Sequence, residues 1–294
     1  MIEQHPIFSR FQGWNGDAPE GFFVDWIGDK VPAELFGREW APSVGSAADF
    51  PPFSEEYFEW IDLLEMASQS GEVFTFLELG AGYGRWSVRA ACAARQLGKR
   101  YRLGLVEAAP KHVRQIHAVL AANGIDRSEY AVFECAVAKE TGEGVFVVDY
   151  PNGNAPPIWY GQALTRNSMR RASIVGEHEG FPLWRMSDGW GVIKIPQRPM
   201  SEIVAHYEHV DLADLDLQGT EAESVEEALP LLNERVRRLH IGTHSHEIEA
   251  RLRELLTAAG WECVHDFACT QDNDTPFGRL SFVDGVQSWT NRRL

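Results

Sequence analysis

The stretch Val73-Phe74-Thr75-Phe76-Leu77-Glu78-Leu79-Gly80-Ala81-Gly82-Tyr83-Gly84-Arg85 decides the fold. Its first seven residues are apolar and β-prone, a short buried strand. Three glycines at alternate positions follow, and Arg85 to Leu97 then carries Val88, Ala91, Cys92 and Arg95 at helical spacing. Strand, glycine turn and helix in that order open an α/β unit, whose ligand lies outside the carboxyl end of the strand. Glycines at such a turn let a ligand approach the backbone closely. Glu78, Gly80, Gly82 and Gly84 are therefore candidate ligand contacts. Arg85 stands where a dinucleotide-binding G-x-G-x-x-G would need its third glycine, and no Gly-Lys-Ser/Thr follows to make a P-loop.

Downstream the alternation continues. Tyr101 to Glu107 reads as a second strand, and Lys111 to Asn123 as a helix closed by Asn123-Gly124, a good C-cap pair. Tyr130 to Cys135 reads as a third strand. Glu107 ends the second strand, where a carboxylate accepts hydrogen bonds from both ribose hydroxyls of a nucleoside. The turn Cys135-Ala136-Val137 offers apolar walls for an adenine, which makes Ala136 a candidate contact. Glu78 and Glu107 would also put negative charge near a cationic ligand. From about 139 to 200 the rhythm breaks: Gly144 to Tyr150 looks like an extra strand, followed by a Pro/Gly/Asn-rich loop and an irregular Trp-containing segment. Strand and helix resume at His209–Asp216, Glu221–Arg235, Arg238–Thr243 and Glu247–Ala259. Two last strands are expected near Cys263–Cys269 and Arg279–Val283, joined by the polar turn 272–276; no crossover helix fits between them, so they should be antiparallel. The expectation is an α/β fold with a doubly wound, seven-stranded Rossmann-like sheet and an antiparallel final hairpin.

Upstream, residues 1–70 read as an aromatic-rich N-terminal cap on a main domain at 71–294. Trp14, Trp26, Trp40 and Trp60 are interrupted by glycines and prolines, and Ser54 is a candidate N-cap before Tyr57, Trp60, Ile61 and Leu64. The cap either covers the core or adds a wall to a substrate pocket. A net charge of −16 argues against a nucleic-acid partner, which would call for a basic face. No apolar run approaches the roughly 20 residues that cross a bilayer, and Met1-Ile2-Glu3-Gln4-His5 lacks the start of a secretory signal; a cytoplasmic location is the default. Cys92, Cys135, Cys263 and Cys269 form no C-x-x-C pair and read as small buried residues in a reducing compartment.

Five segments then carry a resemblance: Phe76–Gly84, Val106-Glu107-Ala108-Ala109-Pro110, Asn123-Gly124, Val210–Glu221 and Ile241–Ser245. Together they resemble the FkbM-type family of S-adenosylmethionine (SAM)-dependent methyltransferases over residues 72–290. The Asp-Leu-Gln-Gly-Thr-Glu block ending at Glu221 is the most specific part. The family usually has Lys at the position of Asp214 and Glu at that of Gln218. The resemblance implies a class I methyltransferase fold, SAM as cofactor, and O-methylation of a small molecule, often a sugar or natural-product hydroxyl. Residues 1–70 and 151–200 lie outside the family's general pattern, and substrate choice is expected there. Methyl transfer to nitrogen and a non-catalytic SAM-binding protein are the alternatives; self-association stays open.

Methyl transfer is an in-line displacement, so an alcohol acceptor must be aligned and must lose a proton. Candidates lie after the fourth and fifth strands. Asp216 ends the fourth and serves cofactor or catalysis; Gln218, which follows it, is a candidate substrate contact. Glu221 is either functional or a first-turn acid favoured by the helix dipole. His244, after the fifth strand, is the preferred base, since neutral imidazole suits proton abstraction near neutral pH. Asp216, Glu221 and His244 would alternatively hold a divalent cation that polarises the acceptor. Trp159-Tyr160-Gly161-Gln162 is either a lid or an ordinary packed loop, with Tyr160 and Gln162 as candidate substrate contacts.

Overall fold

The computed structural model describes residues 4–35, 50–151, 153 and 162–294. The N-terminal segment forms a small antiparallel ribbon, β1 (Phe22–Val24) with β2 (Lys30–Pro32), and helix α1 (Tyr57–Gln69). Helix α1 is not capped by the Ser54 side chain; Ser54 contributes its carbonyl, which accepts from the Tyr57 amide. Then follow β3 (Val73–Leu79), α2 (Arg85–Gln96), β4 (Arg100–Glu107), α3 (Pro110–Ala122), β5 (Tyr130–Glu134), β6 (Ala136–Val137) and β7 (Gly142–Asp149). The chain continues through β8 (Ser173–His178), β9 (Phe181–Arg185), β10 (Gly191–Arg198), α4 (Met200–Val204), β11 (Val210–Leu215), α5 (Glu221–Arg235), β12 (Val236–Thr243) and α6 (His246–Ala258). It ends with β13 (Trp261–Phe267), β14 (Gln271–Thr275), β15 (Gly278–Phe282) and β16 (Gly285–Asn291).

Seven of these strands form the central sheet in the order β13-β16-β12-β11-β3-β4-β5, with β16 antiparallel to its neighbours and the other pairings parallel. The strands run outward in both directions from β3 and β11, so the switch point lies between their carboxyl ends, where Gly80 and Asp216 emerge. Helices cover both faces. One apolar core joins α1, α2 and α3 to β3 and β4; the other joins α4, α5 and α6 to β11 and β12. β3 and β11 are buried almost throughout, the pattern of parallel strands covered on both sides.

Several of the described N-terminal aromatics belong to the first of these cores; Trp40 lies outside the described residues. Phe8, Trp26, Tyr57, Phe58 and Trp60 are buried with Phe74, Phe76 and Leu103. The Arg89 guanidinium, buried from α2, lies 4.4 Å from the Trp60 ring and 4.0 Å from the Trp86 ring. It donates to Asp25 at 2.6 Å and to Glu56 at 2.9 Å. Cation–π contact plus charge-assisted hydrogen bonds offset the desolvation of that cation.

Two expectations need correction. The strand near Arg279–Val283 exists as β15 but pairs with β14 in a separate ribbon; the antiparallel member of the sheet is β16. Its polar residues hid it, and three of them are paired internally: Gln287 donates to the Glu249 carbonyl, Ser288 to Asp62, and Asn291 to the Asn233 and Val236 carbonyls. The extra strand expected at Gly144–Tyr150 is β7, but the segment after it, read as irregular, adds β8, β9 and β10, which make a second sheet in the order β6-β10-β9-β8 with β7 also on β10. Glu179 and Gly180 turn β8 into β9 with positive φ at both positions (54° and 89°), the backbone of a two-residue hairpin turn. The inner face of this sheet, Phe146, Val148, Ile193 and Ile195, packs on Ala109 and Ala136 beside the carboxyl ends of the main strands. All four cysteines are free thiols; Cys135 and Cys269 are buried, whereas Cys263 is exposed on β13.

Candidate functional site

The chain turns sharply after β3. The amides of Gly80 and Ala81 both donate to the Val106 carbonyl at 2.9 Å, and the Asp216 amide donates to the Leu79 carbonyl at 2.9 Å. These bonds draw the β11 end against the turn so closely that a Cβ on Gly80 would lie 1.8 Å from the Asp216 carbonyl oxygen. Gly80 also has φ +88°, so both the space and the backbone demand glycine there. Gly82 presents its amide to Glu107 Oε2 at 2.7 Å. Gly84 stands at the N-cap of α2, against Leu105, and is absent from the crevice lining.

Glu107, at the end of β4, accepts from the Gly82 amide at Oε2 and from the Ala109 amide at Oε1 (2.6 Å). Each oxygen keeps a second lone pair, and the residue lines a crevice at the carboxyl ends of the main strands. Gly80, Gly82, Val106 and Ala108 line the same crevice, with Cys135, Ala136 and Val137 on one flank. Asp216, Leu217, Gln218 and Thr220 line the other, and Phe146, Gln162, Ala163 and Leu164 close it from the inserted segment. Thus Gly80, Gly82, Glu107, Ala136, Gln162, Asp216 and Gln218 come together as the sequence suggested. Tyr160 lies outside the described residues.

Glu78 does not join them. Its carboxyl is buried beneath α2, accepting from the Ser87 amide at 2.9 Å and the Ser87 hydroxyl at 2.5 Å. Burial raises its pKa to about 8, so it is an uncharged anchor for the helix and no source of negative charge for a ligand.

His244 also departs from its expected role, and it is not among the crevice-lining residues. Its Nδ1 lies 2.8 Å from Glu221 Oε1, and its Nε2 lies 3.4 Å from Asp216 Oδ1 and 3.7 Å from Asp284 Oδ1. Burial alone would lower its pKa, but the carboxylates of Asp216 and Glu221 raise it to about 10. At neutral pH it is an imidazolium and has no lone pair to offer a proton. Glu221, fully buried, also accepts from the amides of Leu217 and Gly219 at 3.1 and 2.9 Å, so it ties the loop after β11 to His244. The alternative of a cation held by Asp216, Glu221 and His244 fails on the same geometry: the two carboxylates occupy opposite ring nitrogens and do not converge on one point.

Asp216 is the exposed member of this chain of charges. Its Oδ1 accepts from Gln218 Nε2 at 2.7 Å and faces His244; among the described residues Oδ2 has no hydrogen-bond partner. Sequence reasoning missed His112, which lines the crevice with Nδ1 3.8 Å from Glu107 Oε1. Its place in the first turn of α3, just after the strand-ending acid, was an available signal. It also missed Thr220, Phe146 and Asp284; nothing local marks Asp284, which reaches His244 from beyond β15.

No family model matches the chain. It is 24% identical over 283 residues to a protein of Jannaschia sp. (strain CCS1) provisionally named a methyltransferase, covering 94% of this chain and 95% of that one. Among solved structures it is similar to methyltransferase FkbM of Methylobacillus flagellatus KT, with 12% identity and a TM-score of 0.45 over 76% of this chain and 44% of that one. It is also similar to precorrin-6y C5,15-methyltransferase of Geobacter metallireducens GS-15, with 10% identity and a TM-score of 0.41 over 79% and 85%. By strand order, glycine turn, strand-end acid and its match along nearly the whole of the Jannaschia protein, the chain is a methyltransferase of the doubly wound α/β class. Within that class its motifs resemble the FkbM type.

Proposed function

We propose that this methyltransferase uses SAM to methylate a hydroxyl group of a neutral small molecule such as a sugar or natural product. The residues suit that cofactor. The turn at Gly80 and Gly82, kept clear of side chains, would take its amino-acid end; Glu107 would accept from its ribose hydroxyls; Ala136 and its apolar neighbours would flank its adenine. When bound, SAM supplies an electrophilic methyl group on a cationic sulfur.

The observation that carries the hydroxyl reading is the free oxygen of Asp216. Gln218 and His244 hold Oδ1 in place, and Oδ2, which has no hydrogen-bond partner among the described residues, would accept the hydroxyl proton. The imidazolium of His244 positions this carboxylate; it does not take the proton itself. The inserted segment supports a small acceptor, because Phe146 and Leu164 add apolar walls to the crevice. The acidic surface disfavours a polyanionic acceptor.

The test is release of S-adenosylhomocysteine from SAM across a panel of hydroxylated and amine acceptors. Asp216→Asn should lower kcat on a hydroxyl acceptor about 10²–10⁴-fold, the range for losing a general base, with SAM affinity changed only a few-fold. Glu107→Gln should weaken SAM binding on the order of 10–100-fold, the worth of charge-assisted hydrogen bonds. Unchanged kcat in Asp216→Asn, or turnover confined to amines, would remove the O-methylation reading.

A further inference from the structure

At the start of α6, outside the crevice lining, three ligating side chains of different kinds meet. We propose that His246, Glu249 and Cys269 form a site for a soft divalent cation of the zinc type, which clips the loop after β13 to α6. His246 Nδ1 lies 3.0 Å from Glu249 Oε2 and 3.8 Å from Cys269 Sγ, and the three ligand atoms all lie within 4.8 Å of one another.

The decisive feature is that thiol and carboxylate face the same ring nitrogen. A nucleophilic relay sets the nucleophile on one imidazole nitrogen and the orienting carboxylate on the other. Convergence of sulfur, oxygen and nitrogen on one point is what a shared cation requires. In a tetrahedral zinc site, with Zn–S about 2.3 Å and Zn–N and Zn–O about 2.0–2.2 Å, neighbouring ligand atoms lie roughly 3.3–3.6 Å apart by simple geometry. The observed 3.0 and 3.8 Å come within a few tenths of an ångström of those values.

The surroundings fit as well. Glu249 and Cys269 are buried, while His246 is exposed, which gives the cation an entry path and an open fourth position for water. Glu249 Oε1 is fixed by the Cys269 amide at 2.6 Å and the Thr243 hydroxyl at 3.3 Å, the kind of outer hydrogen bonding that orients metal ligands. Thiolate plus carboxylate balance two positive charges, and sulfur selects zinc-like ions over magnesium. Arg253 approaches Glu249 Oε2 at 3.6 Å, but its guanidinium is committed to Asp266 at 2.6 and 3.0 Å. The clip also bears on the acceptor side of the crevice: His244 lies two residues before His246, and Gly285, next to Asp284, packs so closely that a Cβ there would lie 2.6 Å from Glu249 Oε1.

The experiment uses the full chain, stripped with a chelator and titrated with Co²⁺ as an optical probe. One equivalent should bind with a thiolate-to-cobalt charge-transfer band, and Zn²⁺ should bleach that band stoichiometrically. Cys269→Ala should abolish the band, and His246→Ala, at an exposed position, should weaken uptake at least about tenfold while leaving the unfolding midpoint of the metal-free protein unchanged. Absence of stoichiometric uptake, a band that survives in Cys269→Ala, or equal competition by Mg²⁺ would overturn the site.

Discussion

Replacing Gly80 by alanine is the sharpest perturbation available, because the structure separates its two costs. One is conformational: Gly80 has φ +88°, where an L side chain costs about 1–2 kcal/mol. The other is steric: the added methyl would sit 1.8 Å from the Asp216 carbonyl oxygen. An ordinary carbon–oxygen contact is about 3.3 Å, so the turn and the β11 end must part by roughly 1.5 Å, and forced overpacking of this kind costs about 1–3 kcal/mol. Gly98 supplies the control, with φ +67° and nothing within 4 Å of its would-be Cβ. Gly98→Ala should therefore destabilise by the conformational cost alone, about 1–2 kcal/mol. Gly80→Ala should destabilise by about 2–5 kcal/mol and should also lose SAM binding, which Gly98→Ala keeps. Urea denaturation gives the first quantity and isothermal titration of SAM the second. Equal destabilisation by the two substitutions, or SAM affinity in Gly80→Ala within a few-fold of the parent, would refute the close-approach reasoning.

Two further outcomes are expected from buried charge. His244 has a folded pKa of about 10 against 6.5 unfolded, so its contribution is fully present below pH 6.5 and is lost as pH rises through about 10. Compared with His244→Gln in chelator-treated protein, the parent should lose about 1.4 kcal/mol of stability per pH unit across that window; a pH-independent difference in denaturant midpoints would count against the imidazolium. Asp214 runs the other way. Burial lifts its pKa from 3.8 to about 6, and Glu59, hydrogen-bonded to it, is also raised, so the folded state is penalised as pH climbs from 3.8 through 6. Asp214→Asn should leave stability nearly unchanged at pH 3.5 and raise it by about 2–3 kcal/mol at pH 7.5; a gain that does not depend on pH would exclude the shared-proton pair.

What could be read along the chain was what neighbours in sequence determine. The β3 strand, its glycine turn and the acid ending β4 are each local patterns, and they meet in space because parallel strands align their carboxyl ends. The β16 strand was concealed because Gln287, Ser288 and Asn291 look solvent-facing, although helix and strand partners distant in sequence satisfy them. Of the inserted sheet only β7 showed in the sequence; β8 is exposed along nearly its whole length and shows no two-residue alternation of apolar and polar positions. The protonation of His244 lay beyond reach for a different reason. A lone histidine after a strand reads as a base, and its charge is set by Asp216 and Glu221, which the block after β11 brings to it from more than twenty residues away in the chain.

The second sheet has a bearing on how this protein can change over time. Its strands β7 to β10 occupy one uninterrupted length of chain between β5 and β11, whereas the turn at Gly80 and the acid at Glu107 are encoded upstream of it. Mutations that reshape the wall formed by Phe146, Gln162 and Leu164 can therefore accumulate without disturbing the half that carries Gly80 and Glu107. New acceptor preferences should arise by drift within that module, and libraries confined to residues 142–198 are the economical way to look for them.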